Sequence, residues 1–479
     1  MSAVHGLEAE QDTAGRTLPR PVLRSRVAED LPARLARSAA ATGAGHGMRT
    51  GEIDDWLAGR ARAHRFRVER RPLGALDGWS FADDTGNLVH HTGRFFSVEG
   101  LTATLGEGAV RSWQQPVIRQ PEVGILGILA KEFDGVLHFL LQAKMEPGNR
   151  NLLQLSPTVQ ATRSNYSTVH GGSKVKYLEY FAGAGRARVH TDVLQSEHGS
   201  WFYRKANRNM LVEVDSSTEI PLDDNFCWLT LGQLGELLHR DNLVNMDART
   251  VIACFPQPRP ATLALLTDAE LRSWFTAERS RHDVDIRPIP LDEVEGWQRG
   301  ENTVERADGR YFRVVGVRVE AGSREVSAWD QPLFEPVGTG VTAFLYRRLG
   351  GVPHLLVNAK VEAGFLDTLE LAPTVQANPG NWRHLPAEDR PPFLDLALNP
   401  PSDRVRYAAT HSEEGGRFLN AESRYLFIET DESQTPLQPP PGYQWATPGQ
   451  LGALTAHGHY VNVQARTLLS CVNTGAVQL

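Results

Sequence analysis

Cysteine is scarce: Cys227, Cys254 and Cys471 are the only three in 479 residues, and none belongs to a CxxC pair. Three thiols cannot build a disulfide framework, which fits a reducing cytoplasm and argues against a structural zinc site. No apolar run approaches the ~18 residues of a membrane span, and the N-terminus lacks the apolar core of a signal peptide. A soluble cytoplasmic protein with no membrane partner is expected. Basic excess is also missing, with 50 Lys and Arg against 57 Asp and Glu and a formal net charge of −7. That balance lacks the electrostatic footprint of a general nucleic-acid binder, although local basic clusters could still hold phosphate. Several motifs are absent too. No GxGxxG opens a helix after a strand, and no GxxxxGK[ST] loop, GxSxG elbow or HExxH occurs. These absences remove the nicotinamide fingerprint, the P-loop, the hydrolase elbow and the zinc-protease helix. No cofactor and no metal are expected.

What the chain does have is apolar content and a doubled text. It is 41% hydrophobic and 22% charged, so it can bury a sizeable core. At roughly 150 residues per domain its length suggests about three domains or two large ones. Residues 1–48 are rich in Ala, Arg, Gly and Pro and read as a flexible leader with a short helix over 31–41. After the leader, AKMEPGNRNLLQLSPTVQA (143–161) returns as AKVEAGFLDTLELAPTVQA (359–377), with eleven of nineteen positions matching and an offset of 216. Chance would match about one or two. The same offset pairs Trp113 with Trp329, Arg94 with Arg310, Glu197 with Glu413 and Arg208 with Arg424. At an offset of 217, residues 228–254 match 445–471 at thirteen of twenty-seven positions. Two copies of one domain are therefore expected, 49–255 and 267–479, joined by a Pro-rich linker at 256–266. The unit is far longer than a solenoid repeat and occurs only twice.

Each copy predicts the same order of elements. A helix comes first (52–63; 268–279), then a strand entering a Gly-Trp turn, then alternating strands at 94–101 and 310–319. Apolar strands follow at 123–131 and 137–144, with counterparts at 340–349 and 354–360. Short strands at 154–160 and 370–376 are interrupted by Pro157 and Pro373. Helices opened by Thr230 and Thr447 come next. The final Asn245/Arg249 and Asn462/Arg466 segments read as fold architecture running into apolar strands. Strands outnumber helices without regular alternation, so the fold class is α+β with mixed sheets.

The candidate ligand region follows the first PTVQA box. It carries Thr162, Arg163, Ser164, Asn165, Tyr166, His170, Lys174 and Lys176. Such donors, cations and glycines suit a diphosphate, the plainer alternative being a solvated loop. Asn165 and Tyr166 return as Asn381 and Trp382, an amide beside a ring in both copies, but copy two lacks the basic run. Lys144 and Glu146 return as Lys360 and Glu362, two residues apart on one strand face. They are either an acid/base pair or an ion pair that holds the sheet. Trp79 and Trp297 stand at glycine turns, where a ring could stack on a nucleobase or pack in the core. Ser196 and Ser412 recur, as do Arg208 and Arg424, either gripping an anion or forming structural pairs.

The box LLQAKMEPGNRNLLQLSPTVQATRSNY, with VKYLEYF behind it, resembles the signature of the NDP-hexose 2,3-dehydratase family. The resemblance covers roughly residues 50–475, including both AKxExG, LxPTVQA and VNxxAR segments. It implies two tandem Nudix-like domains per chain and a homodimer. The Glu-rich REUxEE helix of Nudix hydrolases is missing from both copies. The implied substrate is dTDP-4-keto-6-deoxyglucose. The implied product is the dTDP-3,4-diketo-2,6-dideoxy sugar of deoxysugar and antibiotic biosynthesis, which a separate 3-ketoreductase takes up.

That reaction needs a base at C3, an acid for the departing C2 hydroxyl, and donors for the enolate oxygen at C4. Under this resemblance the catalytic candidates are Tyr166, His170, Lys144 and Glu146, with Tyr166 or His170 as acid/base. Ser164 and Asn165 would grip sugar oxygens, Arg163, Lys174 and Arg208 the diphosphate, and Trp79 or Trp297 the thymine. In copy two, Phe365 and Leu366 replace Asn149 and Arg150, which favours copy one as the catalytic half. The competing readings are a non-catalytic nucleotide-sugar-binding protein and a diverged Nudix-type diphosphate hydrolase.

Overall fold

The computed structural model describes residues 28–106, 112–162, 175–183, 185–257, 261–322 and 327–479. It is α+β, with two similar sheet-rich halves. Each half contributes a seven-stranded mixed sheet and shares in a five-stranded antiparallel one. In the first seven-stranded sheet, Ile125–Phe133 runs antiparallel to Val136–Met145 and parallel to Ala206–Glu213. The second half repeats this with Gly340–Leu349, Val352–Val361 and Glu422–Glu429.

The prolines expected to interrupt a short strand mark a change of partner. Leu153–Ser156 pairs with Val136–Met145, whereas Val159–Ala161, just past Pro157, pairs with Ile125–Phe133 on the other side. Proline has no N–H to give a ladder, so it stands where the chain leaves one strand for another. Leu369–Ala372 and Val375–Ala377 do the same around Pro373.

The five-stranded sheets reveal an exchange that no local pattern announces. Phe66–Arg71, from the first half, pairs with Phe312–Ala321 of the second. Val284–Ile289, from the second half, pairs with Ser97–Leu105 of the first. Each half thus lends its first strand to the other. Gly100 and Gly316 are equivalent positions at the ends of these pairings. A Cβ there would fall 2.7 Å from the carbonyl oxygen of Pro290 and 2.6 Å from that of Arg71, respectively, so only glycine admits the incoming strand.

Helices close the molecule. Thr230 and Thr447 cap Leu231–Leu238 and Pro448–Thr455 through capping boxes with Gln233 and Gln450, as their sequence positions predict. The segments after Asn245 and Asn462 differ from expectation: they are the helices Met246–Ala253 and Val463–Thr474, not strands. Each asparagine side chain accepts from the backbone N–H three residues on, at 2.9 Å, starting a helix in a run that reads equally well as a strand. Both helices are buried almost all round. They lie in one continuous core that joins Leu126, Phe139 and Val251 of the first half to Phe344, Leu371 and Leu468 of the second. The expected short helix near the N-terminus is Leu31–Ala40. It packs on the first half, where Ser38 Oγ donates to the carbonyl of Leu137 at 2.6 Å. Among the described residues, no helix is long and apolar enough to cross a membrane.

Candidate active site

Three sequence motifs meet around one glutamine. The strand Val136–Met145 carries Lys144 and leads directly to Glu146, which is 4% exposed. Gln160, from the PTVQA box, donates through Nε2 to Glu146 Oε1 at 2.8 Å. Its own Oε1 accepts from Ser156 at 2.7 Å and from Asn245 at 3.4 Å. Lys144 Nζ lies 3.5 Å from the Gln160 carbonyl and 3.8 Å from Glu146 Oε1. The AKxExG, PTVQA and VNxxAR segments thereby converge. The second half repeats the network, with Gln376 donating to Glu362 at 2.9 Å, Asn462 donating to Gln376 at 2.7 Å, and Lys360 3.3 Å from the Gln376 carbonyl.

Each network is finished by a loop from the other half. The turn after Glu146 is stapled to residues 413–420: Gly148 N–H donates to the Gly415 carbonyl and Asn420 N–H to the Gly148 carbonyl, both at 2.7 Å. The mirror contacts run from Gly364 to Gly199 and from Arg204 to Gly364, again at 2.7 Å. A Cβ on Gly148 would sit 1.7 Å from the Phe418 carbonyl oxygen, and one on Gly364 1.6 Å from that of Phe202. The glycine of AKxExG is therefore an inter-repeat requirement.

The two composite sites differ in polarity. Around Glu146 stand Glu197, Lys205 and Asp247 of the first half with Glu414 and Arg417 of the second. Burial, then the charges of Glu197, Glu146 and Glu414, push the Asp247 carboxyl well above the usual carboxylate range. Burial lowers the Lys205 ammonium to about 8, although Glu197 opposes it. Burial with Glu146 and Glu197 pushes Glu414 up to about 7, against Arg417. Arg417 stacks over Phe96 at 4.2 Å and donates to Gln120 at 3.1 Å. Glu197 accepts from Asn207 at 2.6 Å, but its Oε2 has no partner among the described residues. At the equivalent positions around Glu362 the chain has Ala421 for Lys205, Gln464 for Asp247, Trp201 for Arg417 and His198 for Glu414. There Glu413, the counterpart of Glu197, is taken by His198 at 2.8 Å and Tyr425 at 2.9 Å. Phe365 fills the place of Asn149 and is buried. Among the described residues, no group of His, Cys, Asp and Glu side chains is arranged to hold a metal ion.

The other residues singled out from the sequence are spread more widely. Arg163, Ser164, Asn165, Tyr166, His170 and Lys174 lie outside the described residues; Thr162 ends the strand-side run that leads to them. Ser196 and Ser412 are buried cross-repeat ties, Ser196 donating to Glu370 at 2.6 Å and Ser412 to Gln154 at 2.9 Å. Arg208 pairs with Asp192, its Nε 3.0 Å from Oδ1, and Arg424 is exposed. Asn381 accepts from the Tyr311 N–H at 3.3 Å, and Trp382 packs against the second half's own core. Trp79 is buried in a core cluster shared by the two halves, and Trp297 packs against it. Their indole N–H groups donate to the carbonyls of Asp330 at 2.8 Å and Gln114 at 3.1 Å. Sequence reasoning missed Asp247, Glu414, Lys205 and Arg417 as site residues. Their sole signal is that the repeat does not preserve them.

Comparison with known proteins agrees with this duplication. The family model for NDP-hexose 2,3-dehydratase matches twice, over residues 50–255 and 268–472. A dTDP-4-dehydro-6-deoxy-alpha-D-glucopyranose 2,3-dehydratase of Amycolatopsis orientalis is 59% identical over 461 residues, 95% of this chain and 97% of that protein. Proteins of the same name from Streptomyces violaceoruber and Saccharopolyspora spinosa are 50% and 48% identical, over 88% and 89% of this chain and 96% and 91% of theirs. The chain belongs to the NDP-hexose 2,3-dehydratase family.

Proposed function

We propose that the chain is a hydro-lyase that removes water across C2–C3 of dTDP-4-keto-6-deoxyglucose, giving the dTDP-3,4-diketo-2,6-dideoxy sugar. The observation that carries this reading is the polar site around Glu146, where buried carboxyl, amide and ammonium groups meet and leave acceptor atoms unpartnered. Glu197 Oε2 and Asn149 Oδ1 have no hydrogen-bond partner among the described residues. Burying an acceptor without a donor is costly, and sugar hydroxyls are donors of the required kind.

The reaction suits such a site. The C4 ketone acidifies the proton on C3, so a base removes it and the electrons pass to the C4 oxygen. They return as the C2–O bond breaks, and the resulting enol becomes the diketone. The chain must supply a base, an acid and donors for the developing oxyanion. Lys144 is suited to face that oxyanion, and Glu146 is an acid/base candidate held in place by Gln160. Tyr166 and His170, on the segment that continues from Gln160, remain acid/base candidates, with Ser164 and Asn165 on sugar oxygens. Arg163 and Lys174 would hold the diphosphate. We place catalysis in the first repeat's site and read both halves as Nudix-like domains lacking the hydrolase metal helix. A homodimer that hands its diketone to a separate 3-ketoreductase completes the proposal.

Incubation with dTDP-4-keto-6-deoxyglucose in EDTA tests it. Loss of substrate with TDP release is the expected outcome. Substrate bound but unchanged would favour a nucleotide-sugar-binding protein, and magnesium-dependent cleavage of the diphosphate would favour a hydrolase.

A further inference from the structure

We propose that Glu414, a residue of the second repeat, is the acid that protonates the departing C2 hydroxyl in the first repeat's site. The inference rests on the dehydratase reading and assigns one of its steps to one side chain.

Position comes first. The stapled contacts of Gly148 with Gly415 and Asn420 fix the loop 413–420 over the turn that carries Glu146. A Cβ placed on Gly416 would lie 2.6 Å from Glu414 Oε1 and 4.0 Å from Glu146 Oε1. The two carboxyls therefore border one small space, kept open by a glycine. Glu414 is half-buried as a residue, but its Oε2 is sealed from solvent and has no partner among the described residues. Independently, Glu197 is 4% exposed, and its Oε2 is likewise without a partner among those residues. Two buried acceptors beside Glu146 point to a ligand that brings hydroxyl donors.

Charge then separates the roles. Glu146 has Lys144 3.8 Å away and an amide donor on Oε1. Glu414 faces the carboxyls of Glu146, Glu197 and Asp247, with Arg417, Lys205 and His198 as the cationic or titratable neighbours. A carboxyl lifted to about 7 holds a proton to give near neutrality, which is what an acid catalyst needs. In the opposite composite site this position is His198, already bonded to Glu413. Only the site around Glu146 retains a carboxyl there.

The step balances. A base takes the C3 proton and the electron pair moves to the C4 oxygen. That pair returns to form C2=C3 as the C2–O bond breaks, and Glu414 transfers its proton to the leaving oxygen. Water departs and Glu414 is left as a carboxylate. The enol then loses its O3 proton, which reloads Glu414, while C2 receives the proton first taken from C3.

Deuterium exchange separates the two halves of this sequence. With dTDP-4-keto-6-deoxyglucose in D2O, the wild-type chain both exchanges C3–H and dehydrates. Glu414→Gln is expected to keep C3 exchange and dTDP binding while dehydration falls about 10²–10⁴-fold. Glu414→Asp should recover part of that loss. Dehydration by Glu414→Gln close to the wild-type rate would overturn the proposal. So would an equal loss of exchange and dehydration, which would place Glu414 before proton removal. A wild-type chain that does neither would defeat the dehydratase reading itself.

Discussion

His198 of the first repeat shares a 2.8 Å hydrogen bond with Glu413 of the second, and both side chains are buried. Burial alone would keep the imidazole neutral, but the hydrogen bond and charge of Glu413, with Glu197 and Glu362 behind it, raise its pKa above the usual histidine range. Burial would likewise raise Glu413, yet the charge and hydrogen bond of His198, with Arg249, hold it below the usual carboxylate range. The raised histidine contributes stability that is fully present below its unfolded pKa and fades as pH climbs through the folded value. The depressed carboxyl contributes stability that is present above its unfolded pKa and fades as pH falls through the folded value. The pair therefore stabilises the inter-repeat contact most between those limits. Glu413→Gln should cost about 3–5 kcal/mol in mildly acidic buffer, as expected for a buried pair that loses one partner. The cost should shrink in alkaline buffer. Denaturant unfolding at the two pH values measures it, and an equal cost at both would contradict this account.

The glycine staples make a second prediction. Gly148→Ala must push its Cβ or the Phe418 carbonyl aside, because the two would otherwise be 1.7 Å apart. A loss of at least about 1–3 kcal/mol is expected from such overpacking. Because the loop displaced carries Glu414, turnover should fall with stability. Gly364→Ala strains the opposite contact and should cost similar stability with a smaller loss of turnover. Unfolding midpoints and initial rates for the two variants decide the point.

Asymmetry between the two sites gives a third. Lys144 and Lys360 occupy equivalent networks, at 3.5 and 3.3 Å from the Gln160 and Gln376 carbonyls. Lys144→Met should lower kcat by roughly 10²-fold or more if Lys144 faces the developing oxyanion. Lys360→Met should leave most of the turnover. Equal losses would place catalysis in both halves.

The strand exchange predicts that neither half folds alone. Residues 28–257 would lack Val284–Ile289 beside Ser97–Leu105, and residues 261–479 would lack Phe66–Arg71 beside Phe312–Ala321. Each fragment would expose a long strand edge and half of a shared core. Separately expressed fragments should aggregate or show no cooperative unfolding, and co-expression should restore a soluble complex. A single fragment with a cooperative transition would contradict the shared core.

How much of this was legible in the sequence follows from what periodicity can encode. The doubled motifs locate the repeats, and most strands lie within a few residues of their expected limits, because alternation and apolar runs are local signals. Partner choice is not local. Phe66–Arg71 reads the same whether it joins its own half or the other, so the exchange left no trace. The run after Asn245 is buried on every side, Asp247 and Arg249 included, so no exposed polar face marks a helical period and the pattern does not separate helix from strand. Lys144 and Glu146 stand out in the sequence because both copies keep them. Glu414 was missed because its counterpart is His198, and because it serves the half to which it does not belong.

The most direct test of the central claim is to incubate the chain with dTDP-4-keto-6-deoxyglucose, a 3-ketoreductase and NADPH, then identify the sugar product by mass and NMR. The account predicts a dTDP-linked 2,6-dideoxy sugar that has lost the C2 oxygen, formed without added metal. Recovery of the substrate, or of a reduced sugar that still carries its C2 hydroxyl, would contradict it.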